Sequence, residues 1–175
     1  MIESKYLKDN VQNIQTLMRV PPLMKFETKN LQQLLKLSKI REYETGELII
    51  KEGDSDTWIY FLLSGKVRVE KKGIEIIVID KMGEIFGELR ILDGLARSAS
   101  VYAETKTVCL AIDTAPSSAR LSNDERANIL LLLYKIFAEY SAVRLRVTNE
   151  ELVKTKKELE KLELKFAKFQ EFLKS

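Results

Sequence analysis

Phe86-Gly87-Glu88-Leu89-Arg90-Ile91-Leu92-Asp93-Gly94-Leu95-Ala96-Arg97-Ser98-Ala99-Ser100 is the stretch on which the reading of this chain turns. Gly87 marks a turn, Glu88–Leu92 one polar-apolar helical turn, Asp93-Gly94 another turn, and Arg97 enters a strand. The helical turn is too short for a crossover and suits a small helix inside a loop. A carboxylate such as Glu88 accepts hydrogen bonds from sugar hydroxyls, and an arginine offers a rigid donor fork to phosphate oxygens. The start of the short helix presents free amide donors, and Ser98 adds a hydroxyl. Together these residue types describe a pocket for a sugar phosphate.

Working outward, glycine placement divides the chain. All seven glycines lie between Gly46 and Gly94, and the 59 residues after Pro116 contain neither glycine nor proline. Turn-rich β structure is therefore expected in the middle and helix at both ends. Six short β-branched or aromatic runs fill the middle: Glu47–Ile50, Trp58–Leu63, Lys66–Glu70, Ile74–Ile79, Ser98–Ala103 and Val108–Ile112. Turn signals bound them, as at Gly53-Asp54, Ser64-Gly65 and Lys72-Gly73. Without intervening long helices, the pattern specifies an antiparallel β-roll of jelly-roll type rather than a βαβ fold.

In the N-terminal flank, Leu7, Val11, Ile14, Leu17 and Met18 recur at helical spacing from Tyr6 to Met18, and Pro21-Pro22 ends the pattern. A second helix is expected from a Thr28 cap, with Leu31, Leu34, Leu35 and Leu37 on its apolar face. Beyond Pro116, Asn123 is the expected cap of a helix presenting Ile129, Leu132, Leu133, Ile136, Phe137 and Tyr140, then Val143 and Val147. Farther on, Leu145, Leu152, Leu159, Phe166 and Leu173 repeat every seven residues. Thr148, Thr155, Leu162 and Phe169 fill the second apolar position of this heptad seam. The expected divisions are N-terminal helices over 1–40, the β-roll over 41–115, a hinge helix over 120–147 and an amphipathic or coiled-coil helix over 148–175.

Composition removes several classes of function. The chain has 175 residues, 45% of them apolar, and a net charge of +3, too small for the concentrated basic face of a nucleic-acid binder. It contains no histidine and one cysteine, Cys109, which excludes an intrachain disulfide and the usual acid-base and haem chemistry. No metal site or cofactor is expected. Nor does any apolar run approach the length of a membrane span or a signal-peptide core, so a cytoplasmic location is expected.

The opening segment resembles the phosphate-binding cassette of the cyclic-nucleotide-binding domain family, which reads roughly F-G-E-L/I, a short loop, then R-S/A/T-A-S/T. That family includes the bacterial catabolite activator, protein kinase A regulatory subunits and cyclic-nucleotide-gated channels. Tyr43–Glu47, Lys51–Asp54 and Tyr60–Val69 resemble its early turns and strands. The resemblance implies that Glu88 binds the ribose 2′-hydroxyl and Arg97 neutralises the cyclic phosphate. It implies that Phe86, Gly87, Leu89, Ser98 and Ala99 complete the cassette, and that Val67 and Val78 line the purine side. It also implies a regulatory ligand, cyclic AMP ahead of cyclic GMP or a cyclic dinucleotide, because Ser98 is not threonine. No helix-turn-helix follows Leu145, so direct DNA binding is not expected. The expectation is a non-catalytic cyclic-nucleotide sensor, homodimeric or partnered through its C-terminal helices. The alternative is a ligand-independent interaction module that keeps the fold. An enzyme is not expected, because phosphoester hydrolysis needs a metal site or an acid-base pair.

Overall fold

The computed structural model describes residues 1–5, 7–8, 11–115 and 121–174, with side chains as far as Gln170. Tyr6, the expected start of the first helix, and the Leu173 side chain lie outside the described residues. The chain divides into two compact units, Met1–Phe137 and Ala138–Ser175.

The first unit is the β-roll with its flanking helices. Helix α1 covers Val11–Leu17, a 3-10 turn covers Pro21–Leu23, and α2 covers Thr28–Lys36 with Leu31, Leu34 and Leu35 buried. Thr28 is the first residue of α2 rather than its cap. The extended residue before it, Glu27, holds the cap position, and no side chain bonds to the free amides there. Leu37 ends the helix, and the chain passes at once into a strand.

Among the described residues, nine strands form two sheets. One sheet has the order β1 (Ile2–Glu3), β2 (Ser38–Tyr43), β9 (Thr107–Asp113), β4 (Trp58–Ser64), β7 (Ile85–Phe86). The other runs β3 (Leu48–Ile50), β8 (Ser100–Ala103), β5 (Val67–Lys71), β6 (Ile74–Ile79). Every pairing between them is antiparallel. Tyr60, Leu62, Cys109 and Ala111 from the first sheet meet Ile50, Val67, Ile79 and Val101 from the second in one core cluster, as period-two alternation requires. The opposite side of β4 and β9, with Ile59, Phe61, Leu110 and Ile112, is also fully buried. Leu17, Leu34, Ile129 and Phe137 of the helices are buried as well. Gly83 shows how closely the N-terminal segment packs: a Cβ there would stand 2.7 Å from Pro21 Cδ.

Strand β2 was not expected, because Lys39, Arg41 and Glu42 disguise its alternation. Nonetheless it pairs in full with β9, from Ser38 opposite Ile112 to Tyr43 opposite Thr107. Helix α3 occupies Leu89–Asp93, close to the expected Glu88–Leu92. The last helix, α4, covers Asn123–Lys174, and its cap is Ser122 rather than Asn123. The Glu125 amide donates to Ser122 Oγ while Glu125 Oε2 accepts from the Ser122 amide, a reciprocal capping box. In the first unit Ile129, Leu133 and Phe137 of α4 are buried completely. The second unit is helical, with Leu145, Leu152, Leu159, Leu162, Phe166 and Phe169 all exposed. Among the described residues, no helix is long and apolar enough to cross a membrane.

Candidate functional site

Three charged side chains are buried among the described residues: Arg41, Glu88 and Arg97. Two of them belong to the segment between β7 and β8. Glu88 directly precedes α3 and is 4% exposed; its side chain makes no capping bond, and its carbonyl accepts from the Ile91 and Leu92 amides. Gly94 closes α3 in the left-handed conformation at φ 70°, where its amide donates to the Arg90 carbonyl.

Arg97 is 3% exposed, and buried guanidinium groups need partners. Asp56 supplies the pair in bidentate form, with Arg97 Nε and Nη2 donating to its two oxygens. Nη2 also donates to the Trp58 carbonyl and Nη1 to the Gly87 carbonyl. Four of the five donor hydrogens are thus spent, leaving one on Nη1. The sequence reading left the fork open for a phosphate. In the structure Asp56 takes most of it, because a cation this deep has to be neutralised by the protein. Burial raises the Asp56 carboxyl, but the hydrogen bonds from Arg97 and from the Trp58 amide outweigh it and hold the group below its ordinary value.

Gly87 makes the approach of Arg97 possible. Its φ of +81° excludes ordinary L side chains, and a Cβ would lie 2.8 Å from Arg97 Nη1 and 2.9 Å from Ile50 Cδ1. Two backbone bonds tie the cassette to the turn after β3: the Gly53 amide donates to the Arg97 carbonyl at 2.9 Å, and the Arg97 amide to the Asp54 carbonyl at 2.8 Å. Arg90 braces the other side, with Nε on the Asp56 carbonyl at 3.0 Å and Nη1 on the Gly94 and Leu95 carbonyls. Phe86 enters the core, stacked on Tyr60 with ring centroids 5.1 Å apart. Trp58 lies under the Arg41 guanidinium at 3.9 Å.

The structure therefore brings together Phe86, Gly87, Glu88 and Arg97. Leu89 and Ser98 are exposed nearby, and Ala99 is half-buried. Val67 and Val78 are not brought together. Val67 pairs with Ile79 and is fully buried in the core cluster, whereas Val78 pairs with Arg68 and is exposed on the opposite face of β5–β6. The residues sharing the face of Val67 are Val69, Ile77 and Ile79. Sequence reading missed Asp56, Trp58 and Arg90. The available signal was that a buried arginine requires a carboxylate, but Asp56 sits 41 residues upstream, where no spacing rule reaches.

The fold is thus a β-roll that carries a buried arginine in the segment between its seventh and eighth strands. Residues 40–122 match the family model described as "Cyclic nucleotide-binding domain", so this stretch of the chain is similar to that family. It is 42% identical over 69 residues to a cGMP-dependent protein kinase of Eimeria tenella, covering 39% of this chain and 7% of that protein. It is 47% identical over 62 residues to a cAMP-dependent protein kinase regulatory subunit of Emericella nidulans, covering 35% of this chain and 15% of that protein. The chain thus matches only a small part of these curated relatives. Among solved structures, a cyclic nucleotide-binding domain from Methylobacillus flagellatus has the same fold, with a TM-score of 0.66 at 20% identity over 82% of this chain and 84% of that one. The regulatory subunit of a cAMP-independent protein kinase A from Trypanosoma brucei gives a TM-score of 0.58 at 24% identity, covering 77% and 50%.

Proposed function

We propose that this protein is a non-catalytic sensor in the cytoplasm that binds a 3′,5′-cyclic nucleotide, cyclic AMP by preference, in the cassette Phe86–Ala99. The observation that carries the reading is that Glu88 and Arg97 are buried charges of one loop. Burying two charges in one loop is costly even when each has partners, and a ligand that needs them is a reason for the chain to carry them. Glu88 would take the ribose 2′-hydroxyl. Arg97 would offer its remaining Nη1 hydrogen to the cyclic phosphate and exchange its carbonyl partners for phosphate oxygens. Ser98 would add its hydroxyl.

The bound state would pass onward through α3. The Tyr134 hydroxyl of α4 donates to the Ile91 carbonyl at 3.4 Å, so movement of the cassette bears on the last helix. Differential affinity for two packings of that helix would shift their populations. The output would be read by a second copy or a partner protein through the exposed seam beyond Ala138.

Calorimetric titration of ligand-freed protein with cyclic AMP, cyclic GMP and a cyclic dinucleotide tests the reading. Saturable one-site binding that is lost in Arg97→Ala supports it, and the tightest ligand names the nucleotide. Silence toward all three rejects it. One observation favours a second reading, a ligand-independent interaction module: Asp56 already satisfies most of Arg97. Asp56→Asn separates the two, since a sensor with a loosened Arg97 binds nucleotide with altered affinity while a scaffold stays silent.

A further inference from the structure

Among the described residues, the second unit presents an exposed apolar seam: Leu152, Leu159, Leu162, Phe166 and Phe169 are each at least 50% exposed. With Leu145 at position a, the heptad places Glu151, Glu158, Lys165 and Phe172 at g and Asn149, Lys156, Glu163 and Gln170 at e, and antiparallel pairing of Leu159 with Leu162 sets Glu151 level with the uncharged Phe172. These flanking charges discriminate between ways of pairing two copies.

In a parallel, in-register pair each g residue faces the e residue five positions later on the other helix. Glu151 would meet Lys156 favourably, Glu158 would meet Glu163 with repulsion, and Lys165 would meet the neutral Gln170. The core layers would set Phe166 on Phe166 and Phe169 on Phe169, while Thr155 faced Thr155. Large and small residues would be segregated into overfilled and underfilled layers.

Antiparallel pairing places a against d, g against g and e against e. Consider the register in which Leu159 faces Leu162 of the other copy. Glu158 then meets Lys165, Lys156 meets Glu163, and Asn149 meets Gln170, each contact occurring twice by symmetry. No like charges face each other. The core layers become Leu159 with Leu162, Leu152 with Phe169 and Thr155 with Phe166, so the small threonine stands opposite a large ring. Sliding one heptad either way destroys the match. One slide sets Glu158 on Glu158 and Lys156 on Lys156; the other sets Lys165 on Lys165 and Glu163 on Glu163.

We infer that residues 148–173 form an antiparallel two-stranded coiled coil with a second copy of this chain, centred between Leu159 and Leu162. The inference deepens the self-association part of the proposed function and does not depend on nucleotide binding. The two β-rolls of the dimer would therefore be attached at opposite ends of the shared coil.

The full chain tests this in two ways. Glu163→Lys sets Lys156 against lysine in the antiparallel coil and weakens the dimer about tenfold at low salt. Lys156→Glu combined with Glu163→Lys restores it. In a parallel coil Glu163→Lys instead relieves the clash with Glu158 and tightens the dimer. Sedimentation equilibrium reads all three proteins. Second, a nitroxide at Asn149→Cys lies level with residue 172 of the other copy, so the two labels stand about 35 Å apart. Cys109 is fully buried in the core, which shields its thiol from the label. A label separation below about 20 Å, as helices packed side by side in parallel would give, overturns the orientation. A chain that stays monomeric at every concentration overturns self-association itself. A dimer whose affinity ignores Glu163→Lys overturns the seam as its contact.

Discussion

Arg97, in the segment before β8, and Arg68, on β5, make superficially similar ion pairs. Arg68, about one third exposed, lies 3.1 Å from Glu70 and 3.4 Å from Glu104, with the Tyr102 ring 5.6 Å away. Arg97 is closed from solvent, and its carboxylate and carbonyl partners take four of its five donors. Arg68 is one third open to water and its partner Glu104 nearly half, whereas Arg97 is closed off and only its partner Asp56 meets solvent. The energetic worth of an ion pair is therefore set by its surroundings more than by its distances.

The largest effect that tests this contrast is Arg97→Ala. It strands a half-buried carboxylate and two carbonyls, and should lower unfolding stability by about 3 kcal/mol, besides removing nucleotide binding. Chemical denaturation reads the loss, and a change under 1 kcal/mol would place the pair on a par with a surface one. Gly87→Ala comes next, at about 2 kcal/mol, because the new methyl meets Arg97 and Ile50 at a φ that alanine resists. Acid titration sharpens the comparison further. The folded-state carboxyl of Asp56 is held below its unfolded value, so its contribution is complete above about pH 4 and fades as pH falls through the lowered value. Asp56→Asn should flatten that part of the acid limb, leaving the slopes from Glu3, Glu47 and Glu125, whose carboxyls are also lowered. The smallest effect is Arg68→Ala, below about 1 kcal/mol and erased by salt. A larger loss would mean that the outer sheet face is not open to water.

What was legible in the sequence follows the same division. Strands β3, β4, β5, β6, β8 and β9 and the short α3 could be read because their signals are local: β-branched runs, turn glycines and one polar-apolar helical turn. Glu88 and Arg97 could be read because one loop carries both. Strand β2 was hidden by Lys39, Arg41 and Glu42. Arg41 is buried there because Glu3 bonds to it, Tyr60 accepts from it at 2.7 Å and Trp58 lies beneath it. Charge implies exposure until distant partners are known. Asp56 escaped for the same reason. Val78 was assigned to the side of Val67, but strand alternation puts their side chains on opposite faces, which only the register with β6 makes visible.

The two backbone bonds that lace Arg97 to Gly53 and Asp54 have a bearing on how the chain folds. They close a loop spanning β4 to α3, and the entropy of that closure is lost before either bond forms. Local hairpins such as β5–β6 assemble without it. The cassette should therefore be completed late in folding, after the strands around it are paired. An open cassette and a partly folded roll would then be the same species. A molecule holding a ligand in the cassette would be one whose whole roll has closed, so occupancy would stabilise every strand at once rather than the loop alone.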